Sequence, residues 1–181
     1  RHPWGTENRI VQFPGTFLEL ITVGQGADIA PHRPGEFSFG AFVRDGLAGG
    51  EGFLMLVLES VGAGADKDSF DSAGIGGFET FHFAREGRRP DGSPVQVAFT
   101  LAFARDPLAP GAGFFTCQQH EPQNFWSPAL QAHPNGALGL KGVVMLAARP
   151  AALQAFLQAF CGAAPVCSGD RNIAFVTPCG S

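Results

Sequence analysis

Glu19 is the one carboxylate in the run Phe17-Leu18-Glu19-Leu20-Ile21-Thr22-Val23, whose other residues are mostly apolar or β-branched. A carboxylate turned into a protein interior loses its hydration, which is costly unless something holds it. Glu19 is therefore either aimed at solvent or held by a metal, a hydrogen-bond donor or a substrate. Just upstream, the stretch from His2 to Asn8 is turn-rich, and Thr6 and Asn8 in it have two readings. They can bond backbone groups of that turn, or they can rim a pocket and orient a polar substrate. Cys117 in GFFTCQQ could act as a nucleophile if paired with His120 or His82, although a thiol in an apolar strand is the simpler packing residue. His2 and His133 each precede a proline and read mainly as loop-shaping residues; His32 in PHRPG reads as exposed. No GxSxG, HExxH, phosphate-cradling GxxxxGK[ST] or dinucleotide fingerprint is present.

The elements that must position these groups follow from periodicity. Ile10 to Phe13 and Phe17 to Val23 have strand composition and are separated by Pro14-Gly15, which predicts a hairpin. A Pro/Gly-containing link from Gly24 to Gly35 then leads to a second unit, beginning at FSFGAFVRDG and continuing through the apolar strand within GFLMLVLESV. Asp66 to Ala73 fits a short helix ending at Gly74. Phe78 to Arg85, Val95 to Arg105 and Gly113 to Gln119 are further strand candidates, with Pro90-Asp91-Gly92 as turn chemistry between the first two. Odd positions from Val95 to Phe103 are bulky and apolar, whereas Gln96, Ala98, Thr100 and Ala102 are small or polar. One face packs; the other borders either a cavity or solvent. A third unit starts as strand KGVVMLAARP, continues as a helix from Ala151 to Cys161, and closes with a strand candidate from Asn172 to Thr177.

Composition narrows the function classes. The 181 residues hold 18 Phe and no Tyr, so the aromatic mass suits a packed interior or an apolar pocket. Formal net charge is -4 with no basic cluster, which argues against nucleic acid and anionic membranes as partners. No apolar run is long enough to cross a bilayer. The four cysteines, Cys117, Cys161, Cys167 and Cys179, lack CxxC spacing, so reduced thiols in a cytoplasmic protein are expected. The chain starts at Arg1 without an initiator Met, and a preceding segment is expected.

HPWGTENRIV followed by FLELITV resembles the glyoxalase-like domain family of the vicinal oxygen chelate superfamily, as do the blocks GEGFLMLVLES, FARE with PDG, FFTCQQHEPQNFW, HPNGA and VVMLAARP. The resemblance implies an α+β fold of paired βαβββ modules, forming an open cupped mixed sheet with helices on the convex side. Residues 1–35 would be the second half of a first module, 36–139 a complete second module with its C-terminal loop, and 140–181 an incomplete third.

In metal-dependent members of the superfamily the Glu of a module's fourth strand points into the cup, the place Glu19 occupies. A carboxylate with one or two neutral imidazoles makes an open site for Fe, Mn, Zn or Ni and leaves positions for two adjacent substrate oxygens. By that implication Glu19 and His120 are the catalytic candidates, with His82 a further ligand. Asn8, Thr100, Gln118 and Trp126 are candidate substrate contacts, and Trp126 with Phe125 and Gln123 could form a lid. The implied activity is that of a metal-dependent lyase, isomerase or dioxygenase acting on a small molecule. The alternative is a metal-free protein that binds or sequesters a small molecule in a Phe-rich cup; pairing into a homodimer is compatible with either.

Overall fold

The computed structural model describes residues 2–89 and 91–177, so Pro90 of the expected turn and Cys179 lie outside the described residues. Strand β1 (Thr6–Phe13) and β2 (Thr16–Val23) form an antiparallel hairpin in which Ile10 faces Glu19 and Phe13 faces Thr16. The reversal is completed by Gly15 at φ 69°, a backbone region that a side chain disfavours. Helix α1 (Phe39–Ala48) follows, capped by Ser38, whose Oγ accepts from the Ala41 amide at 3.3 Å.

The next elements are β3 (Met55–Ser60), α2 (Ala63–Ser72), β4 (Phe81–Arg88), β5 (Pro94–Ala104) and β6 (Gly113–Gln119). They build one four-stranded sheet in the order β3-β6-β5-β4, with β3 parallel to β6 and the other pairs antiparallel. The fold is α+β, and the sheet is open. A short helix α3 (Pro122–Phe125) leaves the end of β6, and a 3-10 turn leads into α4 (Gln154–Cys161), stopped by Gly162 in the left-handed conformation.

Alternation along β5 splits the core in two. Val97, Phe99, Leu101 and Phe103 pack with Phe39 and Val43 of α1 and with Trp4 and Ile21 beside the hairpin. Ala102 and Ala104 face the other way and pack with Phe70 of α2, Phe114 of β6 and Phe156 and Phe160 of α4. Helices α2 and α4 thus cover one face of the sheet, while α1 shares the opposite face with the hairpin. Phe114 is 1 % exposed and meets Phe156 and Phe160 edge-on, with ring centroids 4.8 and 5.4 Å away.

Two expectations about elements change. FSFGAFVRDG is largely helix rather than an undivided lead into β3: Ser38 supplies the cap, and Phe39, Val43 and Leu47 fall on one apolar stripe. The run KGVVMLAARP forms no strand, and Val143, Val144 and Leu146 are exposed. A strand needs a neighbour to accept its ladder bonds, and this segment has none among the described residues. Of the closing candidate, only Ile173–Ala174 pairs, with Cys167–Ser168. No helix among the described residues is long and apolar enough to cross a membrane.

Candidate functional site

A small cavity of about 60 Å³ lies between the hairpin and the odd-numbered face of the sheet. Its wall is mainly aromatic, with Trp4, Phe17, Phe39, Phe83, Phe99, Phe115 and Phe125 among the lining residues. Its polar groups are His2, Asn8, Glu19 and Arg85. A larger groove of about 400 Å³ runs between Leu108–Ala112 and Met145–Arg149, but among the described residues Arg149 is its one charged group and no acid or imidazole lines it. The smaller cup carries the chemistry.

Glu19 enters the cup because strand β2 alternates, turning Phe17 and Glu19 to the same side. Asn8 Nδ2 donates to Glu19 Oε1 at 2.6 Å. His2 Nε2 stands 3.9 Å from the same oxygen. The imidazole is fixed on its other side by a 2.7 Å hydrogen bond between Nδ1 and Thr6 Oγ1, and it stacks on Trp4 with centroids 4.5 Å apart. Arg85 lies on β4, on the same sheet face as Phe81 and Phe83, opposite Val97. No ion pair within 4 Å joins it to Glu19 among the described residues.

Burial sets the electrostatics. It raises the Glu19 carboxyl above its ordinary value, against the opposing pull of the Asn8 hydrogen bond and the Arg85 charge. His2 is lowered to about 4, first by burial and then by the Arg85 charge, so the imidazole is neutral at physiological pH. Arg85 is itself lowered by burial, partly offset by Glu19. Cys117 lines the cup, and burial, reinforced by the Glu19 and Glu59 charges, pushes its thiol up to about 12. That makes it a poor nucleophile.

The other residues singled out from the sequence fall elsewhere. His82, Thr100 and His120 come together, with His82 Nδ1 at 3.0 Å and His120 Nε2 at 2.8 Å from Thr100 Oγ1. They do so on the even-numbered face of the sheet, turned away from Glu19. The physical reason is strict alternation: with Phe83 and Arg85 in the cup and Phe81 packed on the same face, His82 and Ala84 must point outward, and Thr100 is the cross-strand partner of His82. Gln118 shares that face; its Oε1 accepts from the Ala63 amide at 3.1 Å, tying β6 to the start of α2. Trp126 sits edge-on to Phe17 and Phe125, at 5.9 and 5.0 Å, and Phe125 is the residue of the two that lines the cup. Gln12 bonds the Phe125 carbonyl and the Ser127 amide, holding this segment over the hairpin. His133 reaches the Gln12 carbonyl at 2.7 Å, a loop-anchoring contact.

Three cup residues with N–H or imidazole groups escaped the sequence reading as site members: His2, Trp4 and Arg85. His2 was legible only as part of a turn, yet it lies four residues from Thr6, and the two side chains pair. Arg85 was legible through alternation with Phe81 and Phe83, had the cup been assigned to that face of β4.

As metal ligands, the residues present are incomplete. Glu19 and His2 give one carboxylate and one imidazole, Arg85 adds positive charge nearby, and no group of three or more His, Cys, Asp or Glu among the described residues could hold an ion. A resident metal would need ligands from outside the described residues.

A strand, a helical crossover and three further strands in the order β3-β6-β5-β4, facing a hairpin that carries an acid into the intervening cup, are the architecture of a vicinal oxygen chelate protein. The glyoxalase-like domain family matches residues 1–161, and the chain belongs to that family. Comparison with curated proteins and with solved structures gave no match.

Proposed function

We propose that the cup is a small-molecule active site in which Glu19 moves a proton to or from a substrate bearing adjacent oxygens. One observation carries this reading: Glu19, the only acid lining the aromatic cup among the described residues, is raised by burial and held by Asn8 at 2.6 Å, beside a neutral His2. A carboxyl so placed is weakly hydrated and more basic than in water, which suits abstraction of a proton next to a carbonyl. Asn8 aims Oε1, and the aromatic wall leaves the Glu19 side chain only about a quarter exposed. His2, with Nδ1 engaged by Thr6, presents Nε2 toward the same carboxylate and can relay the proton outward.

The test is proton exchange. Pyruvate and hydroxyacetone are incubated in D2O with the protein, and loss of their carbon-bound protons is followed by NMR. The wild type is expected to accelerate exchange and Glu19→Gln to abolish it with the fold intact by circular dichroism. A second reading, retention of a small apolar molecule without turnover, is supported by the predominance of Phe in the lining. Binding with no exchange above background would select it. Elemental analysis of protein prepared without chelator or nickel completes the test: stoichiometric metal lost in Glu19→Ala would support a metal-dependent lyase, isomerase or dioxygenase instead.

A further inference from the structure

Two N–H donors in the cup have no acceptor. Arg85 Nε and Trp4 Nε1 are both shielded from solvent, and neither has a hydrogen-bond partner among the described residues. Both residues line the cup. Their positions are set by packing, because Trp4 is held edge-on against Phe81 and Phe83, at 5.1 and 4.7 Å, and Phe83 is two residues before Arg85 on the same face of β4. Unpartnered buried donors are costly, and a charged one more so. The cup's acceptors, Asn8 Oδ1 and the Glu19 carboxylate, make no hydrogen bond to either donor among the described residues. Glu19 has no ion pair with Arg85 within 4 Å among the described residues. Two unpartnered, shielded donors thus belong to residues that line one small cavity.

We propose that the guest of this cavity is a small organic carboxylate with an apolar tail, its carboxylate oxygens accepting from Arg85 and Trp4 and its tail lying against the Phe side chains. The inference rests on the reading of the cup as a small-molecule site and names the chemistry of what enters it. A guanidinium is the side chain best matched to a carboxylate, since its fork offers parallel donors to two oxygens. The indole N–H adds a neutral donor, and the aromatic wall selects against a second charge on the guest. The cavity of about 60 Å³ limits the buried part to a few heavy atoms, so the guest is a short-chain acid rather than a drug-sized ligand. With the carboxylate held at Arg85, the adjacent carbon is presented toward the Glu19 side of the cup, which joins anchoring to proton transfer.

Isovalerate and its neutral isostere isovaleramide are the probes, titrated into the intact 181-residue chain. Binding is followed through the Trp4 indole and Arg85 Nε–H signals by NMR, the indole being assigned with Trp126→Phe. Isovalerate is expected to shift both signals and to bind about tenfold tighter than isovaleramide. Arg85→Met is expected to weaken isovalerate about tenfold more than isovaleramide, so that the two affinities converge, with Arg85→Lys in between. Equal affinities of the two probes in the wild type would overturn the carboxylate assignment while leaving the cup as a small-molecule site. A cup that neither probe perturbs would overturn both. Should Arg85→Met fail to fold, the wild-type ratio of the two affinities decides the question by itself.

Discussion

Asn8 and Glu19 are diagonal neighbours on one face of the hairpin. Asn8 is paired with Ile21 and Glu19 with Ile10, and their side chains close the diagonal at 2.6 Å. The pair is possible only in this register, because a slip of one residue would send one of the two side chains to the opposite face.

Asn8→Ala removes the hydrogen bond that opposes the effect of burial on Glu19. The Glu19 carboxyl is expected to titrate still higher in the variant, followed through its side-chain carbon by NMR. Stability at pH 7 should fall by roughly 1 to 2 kcal/mol in urea denaturation, the scale of a lost charge-assisted bond. An unmoved titration would show that the Asn8 contact does not hold the carboxylate in solution.

The acid limb of stability should carry the signature of His2. Its folded value of about 4 lies below the ordinary 6.5, so between those values the unfolded chain binds the proton that the folded one refuses. Stability from this group is complete above about pH 6.5 and is lost as pH falls toward 4, by up to about 3 kcal/mol. Glu19 acts with the opposite sign: its raised value makes the folded state lose stability as pH climbs from the ordinary carboxyl value to the folded one. His2→Gln should therefore flatten the slope between pH 6.5 and 4 in thermal unfolding, and an unchanged slope would remove His2 from this role.

Two glycines in helices should respond to alanine in opposite directions. A Cβ on Gly40 in α1 would come within 2.6 Å of the Trp4 carbonyl and 3.2 Å of Ile29, whereas one on Gly64 in α2 meets nothing within 4 Å. Gly64→Ala is expected to stabilise by roughly 0.5 to 1 kcal/mol through reduced chain entropy. Gly40→Ala should destabilise by about 1 to 3 kcal/mol and displace Trp4, visible as a shift in its fluorescence.

Cysteine labelling should be selective. Cys167 is exposed, while the Cys117 thiol is pushed up to about 12 in the cup. Iodoacetamide at pH 8, read by peptide mass spectrometry, should modify Cys167 at least tenfold faster than Cys117. Rapid labelling of Cys117 would mean that the cup opens widely in solution.

Much of the fold was legible because it rests on local rules. The hairpin at Pro14-Gly15, the strands Val95 to Arg105 and Gly113 to Gln119, and the short helix before Gly74 all appear within a few residues of where periodicity and turn chemistry put them. Glu19 was legible as a site candidate for a similar reason: a lone acid in an apolar strand is an anomaly that solvent or a partner must resolve. His120, the preferred imidazole, and His82, the second choice, were candidates in the sequence because nothing local says which face of a strand borders a cavity.

What the amino-acid sequence determined by itself is therefore the hairpin, most of the sheet's strands and the presence of one acid on the hairpin, since these follow from spacing and composition along the chain; the family was legible as a resemblance carried by HPWGTENRIV, FLELITV and the later blocks. Only the tertiary structure decided which face of the sheet the hairpin covers. Covering the odd-numbered face puts Arg85, Trp4 and His2 beside Glu19 and leaves the two imidazoles on Thr100 outside. That choice depends on packing α1 and the hairpin against Phe99, Leu101 and Phe115, contacts between residues far apart in the chain. Period-two alternation offers two faces; burial of the aromatic one selects between them.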